Sequence, residues 1–258
     1  MNKIPLILII LLAFVLRFYH LGYNPPALSW DEASIGYNAY SIAETLKDEH
    51  GRFLPFDYFS AFGDYKPPLS IYLTAISVKL FGLTEWSVRL PSALLGLFTV
   101  LLVFLLLEEF RKVFKSKSLN SYFSLLAAFI LAVSPWHTLL SRQMFEANIA
   151  TFLIVFAVYL FIKALNSKNW LFIPSALLFA SSLYTFNSPR VFVPILLSGM
   201  FIFFFKELKQ NFKWFIVFGS LFVVVLLPLV PHMISPLGQL RFKEVNIFSD
   251  PGVVIKAN

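Results

Sequence analysis

What most constrains this chain is a succession of apolar runs of membrane-crossing length, separated by short loops rich in Lys. A spanning helix needs about 20 predominantly apolar residues, with a range of roughly 17–25. Runs of that kind occupy 4–21, 87–108, 120–137, 147–165, 170–187, 190–206 and 213–231. Lipid offers no partner to a bare backbone group, so such runs must be helical. The expected fold class is therefore an all-α polytopic membrane protein with about seven spans. Composition agrees. The 258 residues are 58% hydrophobic with a mean hydropathy of +0.75, against roughly 45–50% apolar for soluble domains. Phe alone supplies 31 residues, which suits lipid-facing helices.

In such a protein a net charge of +7 speaks of loops rather than of nucleic acid. The absence of Cys excludes disulfides and thiolate metal sites. His20, His50, His137 and His232 stand at no metal-ligand spacing. Lys3 precedes the first run, and no small-x-small cleavage site follows it, only Arg17, Phe18, Tyr19 and His20. An uncleaved first span is expected, with Arg17 snorkelling to the outer interface.

Orientation follows from where the cations fall. The loops RKVFKSKS (111–118), KALNSK (163–168) and KELKQNFK (206–213) are short and basic, which puts them and the N-terminus in the cytoplasm. Eleven of the fourteen acidic residues then lie outside, in 22–89, 138–146 and 232–258. One apolar stretch, PPLSIYLTAISVKLFG (67–82), has only 16 residues. Counting it as a span would turn every later basic loop outward, so it reads as an interfacial or re-entrant helix. Residues 22–89 thus form one long extracytoplasmic region, and long ordered loops usually carry function. The chain stops at SDPGVVIKAN inside an outer loop, so 1–258 is expected to be the N-terminal part of a larger transmembrane domain.

The outer region begins with SWDEASIGYNAYSIAETLKDEHG (29–51). Taken as a helix over 30–46, Ile35, Ala39, Ile42 and Leu46 form an apolar stripe. Asp31, Ser34, Asn38, Ser41 and Thr45 form a polar one, and Trp30, Tyr37 and Tyr40 suit an interface. Ser29 and Glu32 have capping-box spacing, so Glu32 can be spent on the helix end. Asp31 is not needed there and is free to act as a base. Cations face it across the same region. Lys66 precedes Pro67-Pro68, which keep it out of a helix and start the next one. Arg89, Arg142 and Arg190 each stand at a span's outer end, with Glu146 four residues after Arg142, a spacing an ordinary helix pair would also give. A carboxylate-bearing surface helix opposite several cations suits a lipid phosphate and a hydroxyl. The cations would stabilise a departing phosphate, and the carboxylate would accept a proton.

The order WDEASIGYNAY, DYKPPLSIYL, LFGLTEWSVRLPSALLG, SRQMFEAN and YTFNSPRVFVP resembles the N-terminal half of GT-C glycosyltransferases. These are of the protein O-mannosyltransferase and lipid A aminoarabinose transferase-like group. The resemblance implies an inverting transferase with a polyprenyl-phosphate-linked sugar donor, working at the outer face of the cytoplasmic membrane. It maps the catalytic carboxylate onto Asp31, its partner acid onto Glu32, and donor-phosphate contacts onto Lys66 and Arg89. Arg142, Glu146 and Arg190 are further candidates, and Tyr37, Asn38 and Tyr65 are candidates for the sugar pocket, although packing explains these three equally well. No cofactor or nucleic acid is implied; a divalent metal ion and the acceptor (protein, lipid or glycan) stay open. Two other readings remain. A transporter or flippase for lipid-linked sugars should carry charge at mid-membrane, where these spans carry almost none, and an inactive donor-binding half-transferase should be indifferent to Asp31.

Overall fold

The computed structural model describes residues 3–114 and 120–245. The C-terminal SDPGVVIKAN and residues 115–118 of the basic loop 111–118 lie outside the described residues. The first apolar run is helix α1 (Ile4–Phe18), and α2 (Trp30–Thr45) is the Asp-Glu helix. A hairpin, β1 (Phe59–Ala61) with β2 (Asp64–Lys66), leads into α3 (Pro68–Phe81). Then follow α4 (Glu85–Phe114), α5 (Ser121–Val133), α6 (Pro135–Arg142) and α7 (Glu146–Asn166). A short 3-10 turn opens α8 (Phe172–Ser182), ahead of α9 (Pro189–Phe203), α10 (Phe205–Gln210) and α11 (Phe212–Leu226). Two short helices, α12 (Val230–Ile234) and α13 (Pro236–Val245), close the described chain.

The apolar runs differ in length once folded. Among the described residues, α4 and α7 are long and apolar enough to cross a bilayer. The pair α5–α6 makes a third span if its 56° bend is crossed as one unit. α1, α3, α9 and α11 are apolar but shorter, and the run 170–187 forms only the eleven residues of α8 behind its 3-10 turn. This is a multi-pass membrane protein built from full-length and partial helices.

The bend has a local cause. Pro135 has no N–H to continue α5, and Ser134 starts α6 by accepting from the N–H of His137. The carbonyls released at the break are met by Arg17, which has no exposed surface and donates to Leu131 and Ala132 oxygens and to His137 Nδ1. This overturns the expectation that Arg17 snorkels outward: bare carbonyls in an apolar setting outcompete the interface for its hydrogens.

The largest apolar cluster joins α7, α8, α9 and α11. Phe161, Phe172, Phe179 and Phe218 are buried there in edge-to-face contact, with ring centroids 5.1 to 6.4 Å apart. Part of the phenylalanine content therefore makes a core rather than a lipid-facing surface. Toward one end of the bundle, α4 meets α6 closely enough that a Cβ at Gly96 would overlap the Ser141 side chain. The opposite ends of α4 and α7 also meet, where Asn166 reaches the Glu109 carbonyl. Both basic turns, 111–118 and 163–168, thus start from the same end of the molecule.

Candidate active site

The site is built where α2, the hairpin and α7 converge. α2 starts with the complete capping box: Ser29 Oγ accepts from the Glu32 N–H, and Glu32 Oε2 accepts from the Ser29 N–H. That fixes the first turn and sends the two acidic side chains different ways. Asp31 stays more than half exposed, while Glu32 turns inward and is buried.

Lys66 is delivered by the hairpin. The two turn residues Phe62 and Gly63 both have positive φ, +51° and +83°, the backbone that a tight two-residue hairpin loop needs. Pro67 caps α3, and Pro68 begins it. The Lys66 ammonium is nearly sealed from solvent and lies 2.6 Å from Asp31 Oδ1 and 3.4 Å from Glu146 Oε1. Asp64 Oδ2 stands 3.8 Å away. Burial alone would lower the Lys66 pKa, but Glu146, Asp31 and Asp64 together raise it above the usual lysine value of 10.5. The ammonium is thus charged throughout the neutral range.

Glu32 and Arg89 form a second, deeper unit. Arg89 Nε donates to Glu32 Oε1 at 2.8 Å and Nη2 to Oε2 at 3.3 Å. The remaining Arg89 hydrogens go to the carbonyls of Leu21, Pro25 and Ala27. Glu32 Oε1 also takes the Met144 N–H at 3.0 Å. Arg89 has no exposed surface. In this structure neither side chain reaches the surface, where a phosphate contact by Arg89 and a catalytic place for Glu32 had been expected. Together they clamp the 21–27 linker under Asp31.

Arg142 behaves alike, donating to the carbonyl of Leu16 in the last turn of α1 and to those of Tyr19 and Asn24 beyond it. The Arg142–Glu146 helix pair that the spacing would also allow does not form. The backbone turns extended at Gln143, α7 begins anew at Glu146, and the carboxylate reaches Lys66 instead. Arg190 is different. Its Nε and Nη2 are sealed from solvent and have no acceptor among the described residues. It lies in the first turn of α9, three residues beyond Asn187, which lines a small crevice with Asp64, Tyr65 and His232.

The sugar-pocket candidates separate too. Asn38 is buried and spent on the Ser34 carbonyl and on Glu49. Tyr37 is exposed, and Tyr65 packs edge-on against Tyr58 at 5.1 Å. Asp64 was not foreseen from the sequence. Its signal was the strand period: two residues before Lys66 on one strand, it shares that face. Among the described residues, no group of three or more His, Asp or Glu side chains is placed to hold a metal ion.

A cluster of an exposed carboxylate on a buried ammonium, at one end of an apolar helical bundle, defines a membrane protein with a charged surface site. Residues 65–234 match the family described as dolichyl-phosphate-mannose-protein mannosyltransferase, and the chain belongs to that family, of the GT-C glycosyltransferase type. An uncharacterised protein of Aquifex aeolicus (strain VF5) is 31% identical over 193 residues, covering 75% of this chain and 36% of that protein. A Bacillus subtilis (strain 168) protein named "Putative mannosyltransferase YkcB" is 25% identical over 175 residues, 67% of this chain and 22% of its own length. The chain therefore spans well under half of either relative. No solved structure matches it significantly.

Proposed function

We propose that this chain carries the donor site of an inverting glycosyltransferase that takes a sugar from a polyprenyl-phosphate carrier at the extracytoplasmic face. One observation carries this: an accessible carboxylate, Asp31, sits within 2.6 Å of a buried ammonium, Lys66, that is backed by a second carboxylate, Glu146. The donor in the family's name, dolichyl-phosphate-mannose, is a lipid phosphate ester of a sugar, and its ester oxygen needs a fixed cation as it leaves.

In this mechanism the donor phosphate takes over Lys66 hydrogens now given to Asp31. Asp31, released from the ammonium, accepts the proton of the acceptor hydroxyl. The acceptor oxygen forms its bond to the anomeric carbon as the bond from that carbon to the phosphate oxygen breaks. The electron pair leaves with the phosphate, whose added charge Lys66 offsets. Glu146 and Asp64 hold the ammonium in place. Arg190 supports the same assignment, since two sealed guanidinium donors with no acceptor among the described residues are costly until an anion reaches them. Glu32, Arg89 and Arg142 are positioning residues, fixing the turn that presents Asp31.

The topology that goes with this has the basic loops inside, seven crossings of unequal helix length, and α2 and α3 lying at the outer interface. Release of radiolabelled sugar from polyprenyl-phosphate donors by reconstituted membranes tests the proposal. Release by the unaltered chain, abolished in Lys66→Ala, is expected. Release that Lys66→Ala leaves unchanged would overturn it.

A further inference from the structure

The turn from α9 through α10 into α11 encloses an apolar pocket of about 640 Å³. Its lining comes from Phe201 of α9, from Phe205, Leu208 and Lys209 of α10, and from Phe212 and Phe215 of α11. The aromatic side is fixed, because the Phe201 ring meets Phe215 edge-on at 4.9 Å and Phe218 at 6.0 Å. The polar side is cationic. Lys209 is part of the lining, and the two exposed rings Phe205 and Phe212 are each followed by a lysine, Lys206 and Lys213. Elsewhere Lys112 is held by Glu109 at 2.7 Å. Lys206, Lys209 and Lys213 are exposed and pair with no carboxylate among the described residues.

Length, charge and volume select the occupant. α9 and α11 have 15 residues each, a rise of about 22 Å against the ~30 Å of hydrocarbon. Helices that short draw their connecting turn toward the hydrocarbon, or the lipid headgroups toward the turn. Ammoniums on long flexible stems then stand at the depth of lipid phosphates. The segment 206–213 carries three lysines against one acid, Glu207. It repels a second copy of itself and attracts an anion. One helical turn, about 10 Å across and 5.4 Å high, needs on the order of 400 Å³, so the pocket holds less than two turns of a partner helix. An acyl chain enters such a space directly from the bilayer.

We propose that the α9–α10–α11 turn is a binding site for an anionic phospholipid, its acyl chain in the phenylalanine pocket and its acidic headgroup against Lys209 and the flanking Lys206 and Lys213. The assignment is independent of the donor reading. α7 starts at Glu146, which holds Lys66, and ends at Asn166. Phe204, beside the pocket, packs on Phe161 near the far end of that helix, with ring centroids 6.3 Å apart.

The test counts lipids on the full chain by native mass spectrometry in detergent, with dioleoyl-phosphatidylglycerol and dioleoyl-phosphatidylcholine offered in equal amounts. The unaltered chain should favour phosphatidylglycerol by about tenfold or more. Lys209→Gln should cut that preference about fivefold, the worth of one lysine at an anionic lipid surface. The triple variant Lys206→Gln, Lys209→Gln, Lys213→Gln should abolish it. Lys168→Gln, in the other exposed basic turn, should leave it unchanged. Equal retention of the two lipids by the unaltered chain would overturn the proposal. A loss as large in Lys168→Gln as in Lys209→Gln would also overturn it, since it would mark a diffuse attraction to all the basic turns. Displacement of the lipid by excess glycerol 3-phosphate would leave only a headgroup contact and overturn the place of the acyl chain.

Discussion

Arg89 and Glu32 close a two-pronged ion pair, 2.8 and 3.3 Å long, between side chains with almost no surface exposed. One residue earlier, Asp31 has most of its carboxylate exposed, and among the described residues its only ion-pair partner is Lys66. Adjacent acids of the same motif therefore do different work, because the capping box rotates the second into the protein as it leaves the first outside. The consequences can be measured.

Glu32→Gln removes the charge opposite a buried guanidinium. It should destabilise the protein by about 3–5 kcal/mol, read as a lower thermal unfolding midpoint in detergent. Asp31→Asn breaks a pair exposed on the Asp31 side only and leaves the Lys66 ammonium paired with Glu146, so it should cost less, about 1 kcal/mol. A Glu32→Gln protein of unaltered stability with its turnover abolished would instead make Glu32 catalytic.

Lys66 sets the pH behaviour. Its folded-state pKa lies above the ordinary 10.5, so its stabilising contribution is complete below that value and is lost as pH rises through the folded value. Polyprenyl-phosphate binding should therefore show no Lys66 titration from neutrality to about pH 10. Lys66→Ala should lose that binding at every pH.

Gly96→Ala should drive a methyl group into Ser141 across the α4–α6 contact. Overpacking of this kind costs about 1–3 kcal/mol. Adding Ser141→Gly should recover part of the loss, and a double variant no more stable than Gly96→Ala would contradict the contact.

Arg17→Met should leave the Leu131 and Ala132 carbonyls bare, at roughly 1–3 kcal/mol each. Arg17→Lys should restore only part of this, because one ammonium cannot replace the planar fork. Full restoration by Lys would favour an interfacial anchoring role.

Much of the fold was legible because its signals are local. Pro67-Pro68 and the apolar stripe of Ile35, Ala39 and Ile42 predicted α3 and α2 to within a residue or two. The capping box was visible in four residues. The break at Ser134–Pro135 lies inside one apolar run, where hydropathy alone sees a single span. The hairpin carrying Lys66 was missed because its strands have three residues each, too short for a period to register. Of the site, Asp31 and Lys66 were legible, since each is surplus to local capping or packing. The partners of Arg17, Arg89 and Arg142 were not: each finds carbonyls more than 60 residues away, and a guanidinium's choice among such acceptors is settled only by tertiary packing. Glu146 was placed correctly at a helix start, yet its partner, 80 residues distant, was Lys66 rather than Arg142.

The most direct measurement compares the unaltered chain with Asp31→Asn in reconstituted membranes, following both donor binding and sugar release from radiolabelled polyprenyl-phosphate sugars. The account predicts that Asp31→Asn keeps the donor bound and the fold intact while sugar release falls by at least about 10²–10⁴-fold, the range a positioned general base supplies. Undiminished release by Asp31→Asn would contradict the account at its centre.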